Sequence, residues 1–277
     1  MSTLAGKTLI MSGGSRGIGE AIAVRAARDG ANVALIAKTT EPHPKLPGTI
    51  HTAAKAIEEA GGHALPIVGD IRDDKAVEAA VAKTVEQFGG LDIVVNNASA
   101  IDLTPTESVP MKRYDLMQDI NARGSFLLAK TAIPHLKRSS NAHVLTLSPP
   151  ISLDPKWFEA GHLAYSIAKY SMSLVTVGLA AELRADGIAA NSLWPRTTID
   201  TAAIRNVVGA ELANRSRTPE IMADAAHAIL VKPSRETTGN FFIDDEVLAA
   251  EGVTDFAQYR IGDSDDELAL DFWVEPA

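Results

Sequence analysis

Three glycines set the first constraint on this chain. Residues 8–12 are a short run of strand-forming residues and residues 18–28 have amphipathic helical spacing. Between them the sequence reads Ser12-Gly13-Gly14-Ser15-Arg16-Gly17-Ile18-Gly19, so that glycines 13, 17 and 19 form G-x-x-x-G-x-G. A strand that turns directly into a helix through glycines presents the free N–H groups and positive dipole end of that helix, with no Cβ to keep a pyrophosphate away. The bland reading is a tight strand-to-helix turn. Its place in the first strand–helix–strand unit favours a nucleotide cradle built from Gly13, Ser15, Arg16, Gly17, Ile18 and Gly19.

The rest of the chain repeats the alternation. Further strands are expected at 32–37, 64–68, 91–96, 143–147, 188–193 and 240–243, with helices ending near 60 and spanning 74–88, 111–137, 162–185 and 218–230. Gly30 stands where a helix C-cap glycine belongs, and Pro134 is expected to break the long helix near its end. Three prolines between 42 and 47 make residues 41–47 a loop. Aspartates 73 and 74 fit a helix N-terminus better than an acidic site. This order implies an α/β fold: a single Rossmann-type doubly wound domain with a seven-stranded, mostly parallel sheet and helices on both faces. Residues 1–245 form the dinucleotide-binding and catalytic domain, and residues 246–277 a C-terminal extension of it. The acidic run Asp263-Ser264-Asp265-Asp266-Glu267 in that extension reads as a solvated turn or loose tail.

Composition narrows the function classes. There is no cysteine, which removes disulfides, thiolate metal sites and cysteine nucleophiles. The seven histidines have no metal-ligand spacing, so no metal is expected. A formal charge of −9 argues against nucleic acid or an anionic membrane as a partner. No apolar run reaches the roughly 20 residues of a membrane span, and the N-terminus has no basic-then-apolar leader. A cytoplasmic protein is expected.

The end of the second strand chooses between cofactors. In an NAD site an acidic residue there holds the ribose 2′-hydroxyl. Here it reads Ala37-Lys38-Thr39-Thr40 before Glu41. Lys38 and Arg16 can neutralise a 2′-phosphate, so NADP(H) is preferred, while nearby Glu41 keeps NAD(H) possible.

Tyr165 and Lys169 lie four apart and share one helix face. A phenol near pKa 10 exchanges protons poorly at neutral pH, and an adjacent ammonium favours its ionised form. The pair can therefore pass a proton to or from a carbonyl oxygen. Ser148 ends the fifth strand at the sheet edge where such folds bind ligands, and its hydroxyl can donate to a developing alkoxide. Asn121, an indifferent helix former within a long helix, is expected to distort that helix and let water reach Lys169.

The glycine turn, Asp70-Ile71, Asn96-Asn97-Ala98, Asn121, Ser148 and Tyr165-x-x-x-Lys169 stand in an order that resembles the short-chain dehydrogenase/reductase family over roughly the first 245 residues. The resemblance implies Tyr165 as acid/base, Lys169 lowering its pKa and holding the nicotinamide ribose, Ser148 orienting substrate and Asn121 sustaining a proton relay. It implies that Asp70 and Ile71 meet the adenine, and that Asn97 and Ala98 support the cofactor from the fourth strand. Leu147-Ser-Pro-Pro150, Pro155-Lys-Trp-Phe158, Leu193-Trp-Pro195 and Thr238-Gly-Asn-Phe-Phe-Ile-Asp244 are similar to the hydroxysteroid dehydrogenase-like branch. Longer members of that branch carry a sterol-carrier domain that is not among these 277 residues. A homodimer or homotetramer through 111–137 and 162–185 is likewise implied.

Several positions depart from the family pattern. Ser99 follows Asn-Asn-Ala where glycine is usual. Seventeen residues separate Ser148 from Tyr165, and the extra segment brings Trp157 and Phe158 as a substrate wall beside Trp194. Pro195 is followed by Arg196 rather than glycine; two readings stand for Arg196, reaching phosphate or an acidic substrate, or pointing outwards. Family analogy lets Thr197 or Thr201 bond the cofactor. His162 reads as a cap or surface group rather than a second acid/base. The leading function is hydride transfer between NADP(H) and a small-molecule carbonyl/alcohol substrate of hydrophobic character. The alternative is a non-catalytic NADP(H)-binding sensor or scaffold.

Overall fold

The computed structural model describes residues 3–42, 46–202 and 204–277. Part of the expected proline-rich loop, residues 43–45, lies outside the described residues. The strands are β1 (Thr8–Ser12), β2 (Asn32–Ala37), β3 (His63–Val68), β4 (Ile93–Asn96), β5 (His143–Thr146), β6 (Ala189–Trp194) and β7 (Phe241–Ile243). The helices are α1 (Gly17–Ala27), α2 (Ile50–Glu59), α3 (Asp74–Phe88), α4 (Met111–Met117), α5 (Gly124–Leu136), α6 (Leu163–Glu182), α7 (Glu220–Leu230) and α8 (Asp244–Ala250). One seven-stranded sheet runs β3-β2-β1-β4-β5-β6-β7, and all six pairings are parallel. The order reverses between β1 and β4, which opens a crevice at their carboxyl ends.

Strand alternation divides the core. Leu9, Met11, Val33, Leu35, Ile93 and Val95 pack on one face against α1, α2 and α7. Ile10, Ala34, Ile36, Val94 and Val144 face the other way, against α3, α5 and α6. Successive side chains of a strand point to opposite faces, so a sheet covered on both sides needs this near-continuous apolar run. Asp73 caps α3 by accepting from the N–H groups of Lys75 and Ala76.

Two helices differ from expectation. Pro134 does not break α5, which continues through it to Leu136. A proline forfeits one helical bond to the carbonyl four residues earlier; that carbonyl belongs to Lys130, which is exposed to water. Helix α6, 20 residues long, is by length and composition apolar enough to span a membrane, more than the sequence reading granted. It is a core helix here, with 56% of its apolar window buried inside the protein.

The acidic run 263–267 is an exposed turn, one of the two forms expected of it, while the extension on either side of it is packed. Thr197 and Leu270 form an antiparallel bridge, the Thr198 N–H donates to Ala269 O at 2.9 Å, and the Asp271 N–H donates to Arg196 O at 2.9 Å. The last turn of chain thus lies along the segment leaving β6. Trp273 and Val274 then bury themselves in a third apolar cluster with Met117, Ala164, Tyr165, Ala168, Trp194 and Ile243, over the carboxyl edge of the sheet.

Candidate active site

A cleft of about 490 Å³ opens where β1, β4, β5 and β6 end. At its nucleotide end Gly13 takes φ +74°, and a Cβ there would stand 2.9 Å from Ala98 Cα. A Cβ on Gly19 would stand 2.4 Å from Asn97 Nδ2. The Asn97 amide explains that closeness, because it donates to Ser12 O at 3.0 Å and Gly13 O at 2.9 Å. The Ser12 hydroxyl in turn accepts from the N–H groups of Asn97 and Ala98. The end of β4 is therefore laced to the glycine turn, which leaves the backbone of the turn bare toward the cleft. Gly13, Ser15, Arg16, Gly17 and Ile18 line that cleft, as do Ile71, Asn97 and Ala98; Gly19 lies beneath, against Asn97. These residues fit a dinucleotide pyrophosphate, since the space that side chains would fill stays open.

At the far end Lys38 and Asp70 both line the cleft, and they face each other: Lys38 Nζ lies 3.2 Å from Asp70 Oδ2. Arg72 holds the same carboxylate at 2.6 Å, and its hydrogen bonds keep Asp70 well below the usual carboxylate range. Arg16 donates from Nη2 to Gly48 O at 2.9 Å, while its Nε is buried and has no partner among the described residues.

Tyr165 and Lys169 lie on the cleft face of α6, 6% and 3% exposed. Lys169 Nζ donates to Leu147 O at 2.6 Å and stands 4.8 Å from the centre of the Trp194 ring. Burial lowers its pKa to about 7. The Tyr165 phenol differs from the expectation that its lysine makes it more acidic. Burial pushes it up, the Asp271 carboxylate pushes it further, and a hydrogen bond from the Ser99 hydroxyl works the other way. The lysine gives no such help here because its ammonium is turned to the Leu147 carbonyl.

Asn121 sits in a π-helical stretch, Gln118–Arg123, between α4 and α5. Its side chain is fully buried and grips one backbone unit at both ends: Oδ1 accepts from the Ala100 N–H at 2.7 Å and Nδ2 donates to Ala100 O at 3.1 Å. The distortion expected at Asn121 is present, but the amide points to the loop after β4 and not to Lys169.

Four expected site residues stand elsewhere. Ser148 is fully buried; its hydroxyl lies 2.8 Å from that of Ser192, which donates to Thr176 at 3.0 Å, and it does not line the cleft. Rotating it outward would break this buried hydroxyl chain, and Pro149 restricts the backbone that precedes it. Trp157 and Phe158 occupy a 3₁₀ turn, Pro155–Phe158, and Trp157 packs against the apolar cluster of Tyr165, Trp194 and Trp273. Phe158 packs edge-on against Tyr170 at 6.0 Å and Trp157 donates to the Ser152 hydroxyl, so neither reaches the cleft wall. Thr197 is buried under the bridge to Leu270 and also misses the cleft; Trp194, Pro195 and Thr201 line it.

Arg196 follows neither reading. It is 7% exposed, donates from Nε to both oxygens of Asp245 at 2.9 and 2.8 Å, and from Nη1 to Glu275 O at 2.7 Å. Its task is to anchor the C-terminal segment. His162 begins α6, but its ring is buried 4.6 Å from that of Phe272 and does not line the cleft.

Sequence reasoning marked Ser99 only as a departure from the family pattern and missed Asp271 and Phe272; all three line the cleft. The apolar run 272–274, a few residues after the acidic stretch 263–267, is the one signal that this segment is packed. Burial raises the Asp271 carboxyl to about 7, against the pull of Lys169. The site thus gathers a bare phosphate cradle, a buried phenol, a buried amine and a buried carboxylate around one apolar-walled space.

A family model described as short chain dehydrogenase matches residues 7–211. Hydroxysteroid dehydrogenase-like protein 2 of Xenopus tropicalis is 54% identical over 272 residues, covering 98% of this chain and 64% of that protein. Its human counterpart is 52% identical over 258 residues, 93% of this chain and 61% of that protein. This chain therefore spans less than two thirds of either relative. A solved short chain dehydrogenase homologue from Mycobacterium thermoresistibile is 59% identical, with a TM-score of 0.93 over 99% of this chain and 96% of that one. Fold, motif order and these likenesses agree: the chain belongs to the short-chain dehydrogenase/reductase family, in its hydroxysteroid dehydrogenase-like branch.

Proposed function

We propose that this protein is an NADP(H)-dependent oxidoreductase acting on a carbonyl/alcohol pair, with Tyr165 as its acid/base. The observation that carries the proposal is that the bare glycine cradle and the Tyr165–Lys169 pair open onto one cleft at the point where the strand order reverses. The cofactor, when bound, supplies the hydride. Tyr165 holds the proton at its hydroxyl and gives it to the substrate oxygen, or takes it back in the opposite direction. Lys169, one turn along the same helix face, lines the cleft with its ammonium on Leu147 O and would hold the nicotinamide ribose. Ile101, Leu147, Trp194 and Phe272 make much of the wall apolar, which supports a hydrophobic substrate.

Preference for NADP(H) rests on Lys38 at the end of β2, on Arg16 in the glycine turn, and on the lack of a carboxylate before Glu41. Thermal unfolding with NADPH and with NADH tests it, because a ligand bound only to the folded state raises apparent stability. NADPH is expected to give the larger shift; equal shifts remove the assignment. Turnover is tested by following NADPH absorbance over a panel of ketones and aldehydes.

The second reading, an NADP(H)-binding sensor or scaffold, draws on Asp271, which makes Tyr165 harder to ionise, and on Ser148, whose hydroxyl is occupied in the core. Tight NADPH binding without turnover across the panel selects it. A homodimer or homotetramer is supported by an apolar face that includes Leu163, Ile167, Leu174 and Val177 of α6, 38 to 60% exposed, and Phe126 of α5 at 53%. Sedimentation at a single monomer mass removes that reading.

A further inference from the structure

We propose that Ser99 is a catalytic residue: its hydroxyl supplies the second hydrogen bond to the oxygen that exchanges a proton with Tyr165, the role Ser148 does not reach. The inference rests on the oxidoreductase reading above.

Three observations converge on it. First, the hydroxyl at the end of β5 is already occupied, because Ser148 is fully buried and bonded to Ser192. Secondly, Ser99 lines the cleft together with Tyr165, and its hydroxyl stands near enough to the phenol to favour the ionised form. Its hydrogen bond to Ala100 O is 3.5 Å long, at the outer limit for such a bond, so its single proton can turn to a substrate oxygen placed beside Tyr165. Thirdly, the backbone on either side of Ser99 is fixed. The Ala98 N–H donates to the Ser12 hydroxyl at 3.1 Å, and both polar groups of Ala100 are held by Asn121. A donor aimed at developing charge helps only if it need not be reorganised during the reaction. These two clamps give Ser99 that fixed position, and they give the π-helical stretch at Asn121 a purpose: it presents an amide to the loop that carries the donor.

The step balances without Ser99 losing its proton. In reduction, the cofactor's hydride forms the C–H bond, the carbonyl π pair moves to oxygen, and that oxygen takes the proton of Tyr165. Ser99 donates a hydrogen bond throughout and is neither oxidised nor deprotonated.

The test compares Ser99→Ala, Ser99→Thr and Ser148→Ala in the full chain, each checked for folding by circular dichroism and for NADPH affinity by fluorescence. Ser99→Ala is expected to lower kcat about 10²-fold, with cofactor affinity within twofold of the parent. Ser99→Thr, which keeps a hydroxyl, should recover most of that loss, and Ser148→Ala should stay within about threefold of the parent, as expected where a fixed donor carries the effect. A readout independent of turnover is the ¹³Cζ resonance of Tyr165 in ring-labelled protein, assigned through Tyr165→Phe. It should move in Ser99→Ala and stay in Ser148→Ala. Turnover of Ser99→Ala within twofold of the parent overturns the role of Ser99 and leaves the oxidoreductase reading standing. A parent protein that binds NADPH but turns over no carbonyl overturns both, even if the resonance moves.

Discussion

The two ends of the cleft are built in different ways. The phosphate cradle at the nucleotide end comes from one contiguous turn, residues 13–18, laced to the end of β4 by Asn97 and Ala98, with Lys38, Asp70 and Ile71 at its outer rim. The substrate end is assembled from five separate stretches: Ser99 and Ile101, Leu147, Tyr165 and Lys169, Trp194 and Pro195, and Asp271 with Phe272. The first end is held by backbone geometry that only glycine permits. The second is held by tertiary packing, above all by a C-terminal segment that reaches back over the sheet. Local chemistry fixes where a phosphate binds, while long-range packing fixes what stands beside the reacting oxygen.

The largest expected effect breaks the substrate end alone. Tyr165→Phe should lower kcat/KM about 10³-fold, as loss of a positioned general acid does, with NADPH affinity within about threefold of the parent. Steady-state rates and a fluorescence titration check both halves. If cofactor binding collapses together with turnover, the two ends are not separable in the way their construction suggests.

Stability separates them further. Arg196 and Asp245 are a buried ion pair with side chains 9% and 11% exposed, tying residues 245 and 275 to the end of β6. Removing one partner leaves the other charge buried alone, so Arg196→Ala should cost about 3–5 kcal/mol in urea unfolding. At the nucleotide end, Gly13→Ala places a side chain at positive φ and against Ala98, which should cost about 2–4 kcal/mol and weaken NADPH binding. Arg196→Ala should leave NADPH affinity close to that of the parent. The reverse pattern of binding losses would show that the C-terminal segment supports the cradle as well.

Those two residues also mark what the sequence made legible. The strand–helix alternation and the glycine cradle are short-range patterns, and the sheet follows them strand by strand. The pairing of Tyr165 with Lys169 was legible because four residues are about one helical turn. Ser148 and Arg196 were misleading for the same reason: their backbone positions border the site, but side-chain direction depends on partners 44 and 49 residues away. Asp271 and Phe272 had only the short apolar run 272–274 to mark them, which says that the segment packs but not where. Their arrival at the site depends on backbone pairing with residues 196–198, and a single sequence carries no mark of which distant strand a terminal segment will join.

Asp271 offers a pH test of the same contrast. Burial raises its carboxyl from 3.8 to about 7, with the charge of Asp244 adding to the rise and Lys169 and the Phe272 N–H opposing it. A folded-state carboxyl raised in this way binds its proton more tightly than the unfolded chain does. Its contribution to stability is therefore greatest at low pH, and falls as pH rises from about 4 to about 7. Asp271→Asn should flatten part of that slope, with Asp244, also raised to about 7, accounting for a further part. Because Asp271 holds Tyr165 up, the same variant should move the pH midpoint for alcohol oxidation downward. An unchanged midpoint would place the carboxylate outside the reach of the phenol.

The smallest effect lies at the outer rim of the nucleotide end. The Lys38 side chain is 57% exposed and already shares Asp70 with Arg72. An exposed ion pair is worth roughly 0.2–1 kcal/mol, so Lys38→Ala should weaken NADPH binding by only about two- to fivefold. NADH binding should hold or improve slightly, because the lysine has no 2′-phosphate to meet. The ratio of the two affinities, measured by fluorescence titration at low and high salt, reports the lysine more cleanly than either value. Screening should shrink the NADPH advantage in the parent protein and leave the variant nearly unchanged. A ratio unaffected by both the substitution and salt would leave Arg16, whose Nε is buried in the glycine turn with no partner among the described residues, as the group that reads the phosphate.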